Sequence, residues 1–436
     1  MFHFLKNAIG LDSSIRVFYH YLRGVVAHLY YRNPAKDMIV IGVTGTKGKS
    51  TTSDIITHGL EQGGKKVCMF STVSLAINGD WKKNTYKMTS PDPFILNKFL
   101  SDARKAGCEY AVIEVSSHAL FYHRVHGIDF DVAVFTNLSQ DHLDLHGTMD
   151  KYAETKLRLF TGLSYARRKK GIRKVGVINI DDAYADMFLK TTVDSQITFG
   201  NSLNAQVRAL HIDTTGKGTT FQVKMPSHTY EIHTHLLGNF NVSNILAAIG
   251  VLHSQKIDVK DIQKAVEGLV GVDGRMQIVP TPLSGIVYVD YAHTEESLKQ
   301  VLTTLNSFKG NGKIITIFGA TGDRDRDKRP KMGAVVHKLS DIVLLTEDDN
   351  YSEDQFRIMS EVSKGIPRKE GDNFWIIFHR EDAIRTALLM AQKDDIILLA
   401  GKGAEEVIVR GNGAERWSDV AMVQKLANEI EQNRIA

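Results

Sequence analysis

The stretch IGVTGTKGKSTT, residues 41–52, decides how the first half of the chain folds. It ends in Gly48-Lys49-Ser50, the close of a phosphate-binding loop of the form G-x-x-x-x-G-K-[ST], although Val43 stands where the first glycine belongs. The run before it, DMIVIGV (37–43), is apolar and β-branched and reads as a buried strand. The run after it, STTSDIITHGLEQGG (50–64), reads as a helix with Ile55, Ile56 and Leu60 on one face. Strand, glycine-rich turn and helix N-terminus together aim backbone N–H groups at an anion. In such a cradle Lys49 reaches the terminal phosphates and Ser50 holds Mg²⁺. The plain alternative is a strand–turn–helix with chance glycines.

A chain of 436 residues exceeds one typical core, so two or three domains are expected. Its 43% apolar and 24% charged content is that of a globular protein. The net charge of +4 is mild and no dense Lys/Arg block appears, which argues against nucleic acid as a partner. Cys68 and Cys108, far apart and without histidine partners, suggest neither a disulfide framework nor a zinc site and fit a reducing cytoplasm. There is no signal-peptide pattern, and a monomer is expected. Residues 12–32 place Phe18, Tyr21, Leu22, Val25, Val26, Leu29 and Tyr30 on one helical stripe, interrupted by Arg16, His20 and Arg23. The expectation is a helix packed on the next domain; an interfacial membrane helix and a dimer contact are the alternatives.

Further along, KKVCMFSTV (65–73), YAVIEVSS (110–117), DVAVFTNL (131–138) and KVGVINI (174–180) are short strand-like runs, with helical patterns at 93–106 and 150–163 between them. That alternation predicts a parallel, doubly wound sheet. Residues 195–235 alternate and predict an antiparallel edge or flap, and a helix is expected over 238–255. A second series starts near 285, with GIVYVDYA, KIITIFGA, DIVLLTED, FWIIFH and DIILLAGKG as strands. The expected architecture is α/β throughout: a short helical segment over 1–37, a central P-loop-type domain over 38–277, and a Rossmann-like α/β domain over 278–436.

In an open α/β sheet, ligands bind at the carboxyl ends of the strands. Glu114 ends one predicted strand and His142 follows the next, so both can face the phosphates as Mg²⁺ ligands. Asp141 and Asp144 are either structural or orient His142.

With those residues in place, a set of motifs resembles the Mur ligase family, MurE type: GVTGTKGKSTT, TSPDP, EVSSHAL, TNLSQDHLDLHGT, YAETKLRLF, GNFNVSN, VDGRMQ, VDYAHTEESL, GATGDRDRDKRPKMG and AGKGAEE. They run in family order from about residue 38 to 420. The resemblance implies an ATP- and Mg²⁺-dependent ligase of peptidoglycan synthesis that joins an amino acid to a muramoyl-peptide carboxylate through an acyl phosphate. It implies that Gly45, Thr46, Lys47, Gly48, Lys49, Ser50 and Thr51 hold the ATP phosphates and metal, although the family usually has Asn at position 47. Lys49, Glu114, His142 and Lys156 resemble the catalytic and metal-site residues, with Lys156 the lysine carbamylated by CO₂. Asn241 and Asn244 resemble adenine-side contacts; Arg275 and Asp290 resemble the phosphate and ribose contacts across the domain junction. Thr89, Ser90, Ser116 and Arg124 resemble contacts to the muramoyl peptide. Arg324, Asp348, Asp349, Gly401 and Glu405 match positions that receive the amino acid.

The chain also departs from that pattern. Diaminopimelate-adding members carry Asp-Asn-Pro-Arg, whose arginine grips the distal carboxylate; here the run is Asp348-Asp349-Asn350-Tyr351, and tyrosine offers no such fork. Ala404 replaces the histidine of Gly-Lys-Gly-His-Glu. Meso-diaminopimelate is therefore questioned, and the acidic residues suit lysine or another cationic amino acid. Family members carry an N-terminal domain that grips UDP, whereas residues 1–37 precede the first strand here, so that grip is expected to be missing or replaced. Two other readings stand beside this one: a related ligase of folylpolyglutamate- or cyanophycin-synthetase type, and a nucleotide-binding scaffold without catalysis.

Overall fold

The computed structural model describes residues 14–86, 89–411 and 413–435. The chain falls into two compact units. The first runs to Asp213 and takes in 220–234 and 240–269; the second holds 214–219, 235–239 and the chain from Val270 onward.

The first unit begins with helix α1 (Ser14–Tyr30), then β1 (Ile39–Thr44), α2 (Lys49–Gln62), β2 (Val67–Phe70), β3 (Ser74–Ile77) and β4 (Asp80–Lys83). It continues with α3 (Pro93–Lys105), β5 (Tyr110–Glu114), α4 (Ser117–Phe121), β6 (Val132–Phe135), α5 (Leu143–His146), α6 (Met149–Tyr165), β7 (Val175–Asn179) and α7 (Ala185–Leu189). Strands β8 (Ser195–Gly200), β9 (Val207–Thr215), β10 (Gly218–Lys224) and β11 (Thr229–Thr234) and helices α8 (Asn239–Ser254) and α9 (Val259–Gly268) follow. One sheet carries them in the order β11-β10-β9-β8-β7-β6-β1-β5-β2-β3-β4. From β2 through β9 neighbouring strands are parallel, while β3 and β4 turn back antiparallel. The expected edge at 195–235 is thus present, but β8 pairs parallel on both sides; α7 carries the chain back across the sheet between β7 and β8.

Local chemistry sets the element boundaries. Asp92 caps α3 by accepting from the Phe94 N–H, with Pro93 in the first turn, where its missing N–H costs nothing. Thr148 caps α6 through the Lys151 N–H. Strand β1 is buried almost end to end, as a central parallel strand covered on both faces must be. Phe70, Leu96, Leu100, Phe135, Phe160 and Phe188 form much of the core on one face, with Phe135 and Phe188 stacked at 3.9 Å.

Helix α1 is where expectation and structure part. Gly24 and Ala27 are its buried residues, and His20 and Tyr21 lie against Tyr122 and His126. Phe18, Leu22, Val26, Leu29 and Tyr30, the residues expected to pack inward, are exposed. The cause is steric: a Cβ on Gly24 would stand 2.9 Å from the His123 carbonyl, so the helix approaches the 122–127 loop through its small residues and the stripe turns outward.

The second unit carries β12 (Gln277–Val279), β13 (Ile286–Asp290), α10 (Glu295–Phe308), β14 (Ile314–Phe318), α11 (Lys328–Leu339), β15 (Ile342–Leu345), α12 (Gln355–Ser363), β16 (Phe374–Ile376), α13 (Arg380–Met390) and β17 (Ile396–Ala400). A hairpin, β18 (Val407–Arg410) with β19 (Gly413–Arg416), and helix α14 (Asp419–Ile435) close it. The sheet order is β12-β13-β17-β14-β15-β16, parallel except for β12. Thr294 and Ser297 cap α10 reciprocally. Val287, Ile315, Leu344, Ile397 and Leu399 face Ala383, Ile384, Val423 and Leu426 in its core.

Candidate active site

Strand β1 delivers residues 45–48 to the carboxyl edge of the first sheet, and the loop there is pinned from the neighbouring strand β6. Thr46 N–H donates to the Asn137 carbonyl at 2.8 Å, and Lys47 N–H donates to Asn137 Oδ1 at 2.9 Å. Asn137 Nδ2 and Thr136 Oγ1 both donate to the Lys47 carbonyl, at 3.0 and 2.7 Å. Gly48 then adopts φ +82°, a left-handed conformation that opens α2 without a side-chain cap. A Cβ here would stand 2.1 Å from Asn244 Oδ1, so glycine is required twice over. The first turn of α2 carries no acidic residue, leaving its N–H groups and dipole to an anion.

Three lysine side chains converge on this loop. Lys49 Nζ donates to the carbonyls of Gly45 and Thr46, at 3.2 and 3.0 Å. Lys156 Nζ, on α6 and 1% exposed, donates to the Gly45 carbonyl at 2.7 Å and lies 4.6 Å from the centre of the Tyr152 ring. Lys47 Nζ stands 3.8 Å from Asp141. Burial first, and then the positive charge of Lys49, push the Lys156 pKa well below the ordinary lysine range.

Beside the cations lies an oxygen pair. Ser50 Oγ donates to Glu114 Oε1 at 3.1 Å, and the Thr72 N–H donates to Glu114 Oε2. Among the described residues no three His, Cys, Asp or Glu side chains could by themselves hold a metal ion. A hard divalent ion nevertheless fits a hydroxyl–carboxylate pair whose remaining ligands are phosphate oxygens and water. His142 also reaches this edge at φ +55°, its N–H bonded to Asp141 Oδ1 at 3.0 Å and its ring edge-on to His118 at 4.7 Å. Desolvation lowers the His142 pKa against the pull of Asp141, and although 41% of the side chain stays exposed, the imidazole is neutral at physiological pH.

The positions that resemble muramoyl-peptide contacts form one hydrogen-bonded group around Glu114. Thr72 Oγ1 donates to Thr89 Oγ1 at 2.9 Å, and Ser90 Oγ donates to the Glu114 carbonyl at 3.1 Å. Ser116 N–H and Oγ reach Ser90 Oγ, and Arg124 donates to the Ser90 carbonyl at 3.1 Å. Asn241 and Asn244 are buried on α8, joined to each other at 3.1 Å, with Asn244 against Gly48. Thr51 is buried in the first turn of α2.

The second unit gathers its own group at the carboxyl edge of its sheet. Asp290, at the end of β13, accepts from the Met276 N–H at 2.8 Å, and its carbonyl accepts from the Gly401 N–H at 3.0 Å. Arg275 lies over the Tyr291 ring at 4.6 Å. Lys402, fully buried, reaches Asp349 at 2.8 Å, Glu405 at 2.6 Å and Asp348 at 3.9 Å. Those carboxylates push its pKa up against desolvation. Arg324 lies over Tyr351 at 5.5 Å, so a guanidinium stands beside the position where tyrosine replaces arginine.

Asn137, Thr72 and Lys402 were given no role from sequence. Asn137 and Lys402 sit inside quoted motifs, whereas nothing local marks Thr72.

Residues 43–252 match the Mur ligase middle domain and residues 274–403 the Mur ligase glutamate ligase domain. The UDP-N-acetylmuramoyl-L-alanyl-D-glutamate–2,6-diaminopimelate ligase of Clostridium tetani is 37% identical over 408 residues, 93% of this chain and 81% of that one. The enzyme of the same name from Bacillus cereus is 37% identical over 397 residues, 91% and 79% of the two chains. A solved structure bearing that name superimposes with TM-score 0.65 at 32% identity, covering 94% of this chain and 83% of the other. Folylpolyglutamate synthase of Mycobacterium tuberculosis, at 16% identity and TM-score 0.70 over 87% and 92% of the two chains, shares the fold. By this identity and coverage, the chain belongs to the Mur ligase family.

Proposed function

We propose that this chain is an ATP-dependent, amide-forming ligase that adds a diamino acid to UDP-N-acetylmuramoyl-L-alanyl-D-glutamate in peptidoglycan synthesis. The observation that carries it is the Ser50–Glu114 pair beside a glycine loop onto which Lys49 and Lys156 converge. A carboxylate is a poor acylating agent, and its attack on ATP sets anion against anion. The carboxylate oxygen bonds to the γ-phosphorus and ADP leaves; the amine then bonds to the acyl carbon, phosphate leaves and one proton is released. Lys49 and the α2 N-terminus hold the phosphates and offset the charge that builds up. Ser50 and Glu114 would hold Mg²⁺, which neutralises phosphate oxygens when bound. His142, neutral, stands ready as a further ligand.

The depressed pKa of Lys156 supports carbamylation. The ammonium first releases a proton; the neutral amine then bonds to the carbon of CO₂ and loses a second, so the cation becomes an anion beside the loop. Withholding CO₂ and bicarbonate should then lower turnover without weakening ATP binding.

In the second unit, Arg324 is suited to a carboxylate bidentately. Asp348, Asp349 and Glu405 outnumber Lys402 three to one and suit an ammonium. With Tyr351 in place of arginine, lysine-type acceptors should outcompete meso-diaminopimelate. The ATP- and UDP-linked substrates are cytoplasmic, where we infer the enzyme works.

The test is phosphate release with ATP, Mg²⁺, the dipeptide precursor and a panel of amino acids, with product mass by spectrometry. Release dependent on one amino acid, with the matching mass gain, supports the reading. ATP binding without turnover for any acceptor would sink it.

A further inference from the structure

Helix α1 presents its apolar face outward. Ile15, Phe18, Tyr19, Leu22, Val26, Leu29 and Tyr30 are each 44–72% exposed. At 100° per residue they fall within an arc of roughly 120°, a continuous stripe along the helix. The orientation is fixed from the other side. A Cβ on Gly24 would lie 2.9 Å from the His123 carbonyl, and one on Gly127 would lie 2.5 Å from the His28 ring. The helix cannot roll to bury the stripe without breaking these contacts. A contiguous exposed apolar face of this size marks an interaction surface.

The charge around the stripe says what it meets. No Asp or Glu occurs between residues 13 and 36, a stretch that holds Arg16, Arg23, Arg32 and Lys36. Arg23 is paired with Asp92 at 2.7 Å. Helix α3, packed beside α1, adds Lys98, Arg104 and Lys105 against Asp102, and Arg104 pairs with Asp37. The sequence before the helix, MFHFLKNAIGLDS (1–13), is mostly apolar, with one lysine, Lys6, and one carboxylate, Asp12. A second copy docked on this stripe would set cations against cations. An anionic lipid surface takes the aliphatic and aromatic side chains into its interfacial layer and the cations against its headgroups. No helix among the described residues is long and apolar enough to cross a membrane, so the helix would lie in the interface plane.

We propose that α1 seats the protein peripherally on anionic membrane, independently of the ligase reading. The test is co-flotation of the full chain with phosphatidylcholine vesicles with and without about 30% phosphatidylglycerol, at low and high salt. Binding should require the anionic lipid, weaken with salt, and fall about tenfold or more in Leu22→Glu and Val26→Glu, whose side chains already face solvent. Leu203→Glu, another exposed apolar position, should bind like the parent. Circular dichroism and melting temperature confirm that the variants fold. Failure of the parent to float with anionic vesicles overturns the proposal. So does a concentration-dependent dimer in light scattering that Leu22→Glu abolishes, which would give the stripe to a second copy. Flotation that appears only after deletion of residues 2–11 would give it to the chain's own start, and overturns it too.

Discussion

The two parallel sheets end in polar clusters built in opposite ways. At the edge of the first, the ligand-facing groups are largely backbone amides of one short loop, held in place by Asn137 and Thr136. At the edge of the second they are side chains from the segment after β15 (Asp348, Asp349) and the turn after β17 (Glu405), gathered on the buried ammonium of Lys402. The first is centred on one contiguous loop to which lysines are drawn; the second joins segments distant in sequence and holds more carboxylates than ammonium groups. A backbone cradle reads phosphate, which every ATP carries, while a side-chain cluster can be altered residue by residue. The contrast separates what is generic in the reaction from what selects the acceptor.

The sharpest way to break the comparison is to remove the framework under one cluster. Arg380 and Asp419 are fully buried and joined at 2.6 and 2.8 Å. Arg380→Ala should cost the second unit about 3–5 kcal/mol, read as an early melting transition, because it strands a buried carboxylate. On the first sheet, Lys49→Ala should lower the rate of phosphate release by about 10²–10³ with little change in melting temperature. A rate loss matched by global unfolding would refute the catalytic assignment.

A smaller effect tests the second cluster directly. Lys402→Met leaves its carboxylates uncompensated and should raise the KM for the amino acid by roughly tenfold while leaving ATP binding as it was. Equal weakening of both substrates would erase the proposed division of labour. Smallest is a pH effect. Arg329, fully buried, holds the Glu353 pKa at about 2. Its ordinary value is 4.5, so the stability it adds is full above that pH and is lost as pH falls from there toward about 2. Glu353→Gln should flatten the acid limb of the melting curve by a few degrees.

How much was legible in sequence follows the same division. The strand, loop and helix around residues 41–52 could be read because each depends on its immediate neighbours, and the strands of the second series because parallel strands are uniformly apolar. Glu114 and His142 could be placed at a sheet edge from strand order alone. The Thr72 contact to Glu114 could not, since a backbone N–H carries no sequence mark. Neither could the Lys402 hub, two of whose partners, Asp348 and Asp349, follow a strand distant in sequence. The apolar stripe of helix α1 was legible, but periodicity does not say which side the protein is on; Gly24 settled that through a close contact.

The contact between Gly48 and Asn244 makes the loop less portable than its motif suggests. Residues nearly two hundred positions apart fill one space, so a graft of residues 43–52 onto another sheet would bring the amides without the helix that braces them. Substitution at either position narrows what the other can accept, and a library varying the loop alone would return mostly glycine at 48. An engineer moving this nucleotide grip should therefore carry α8 as part of the same module.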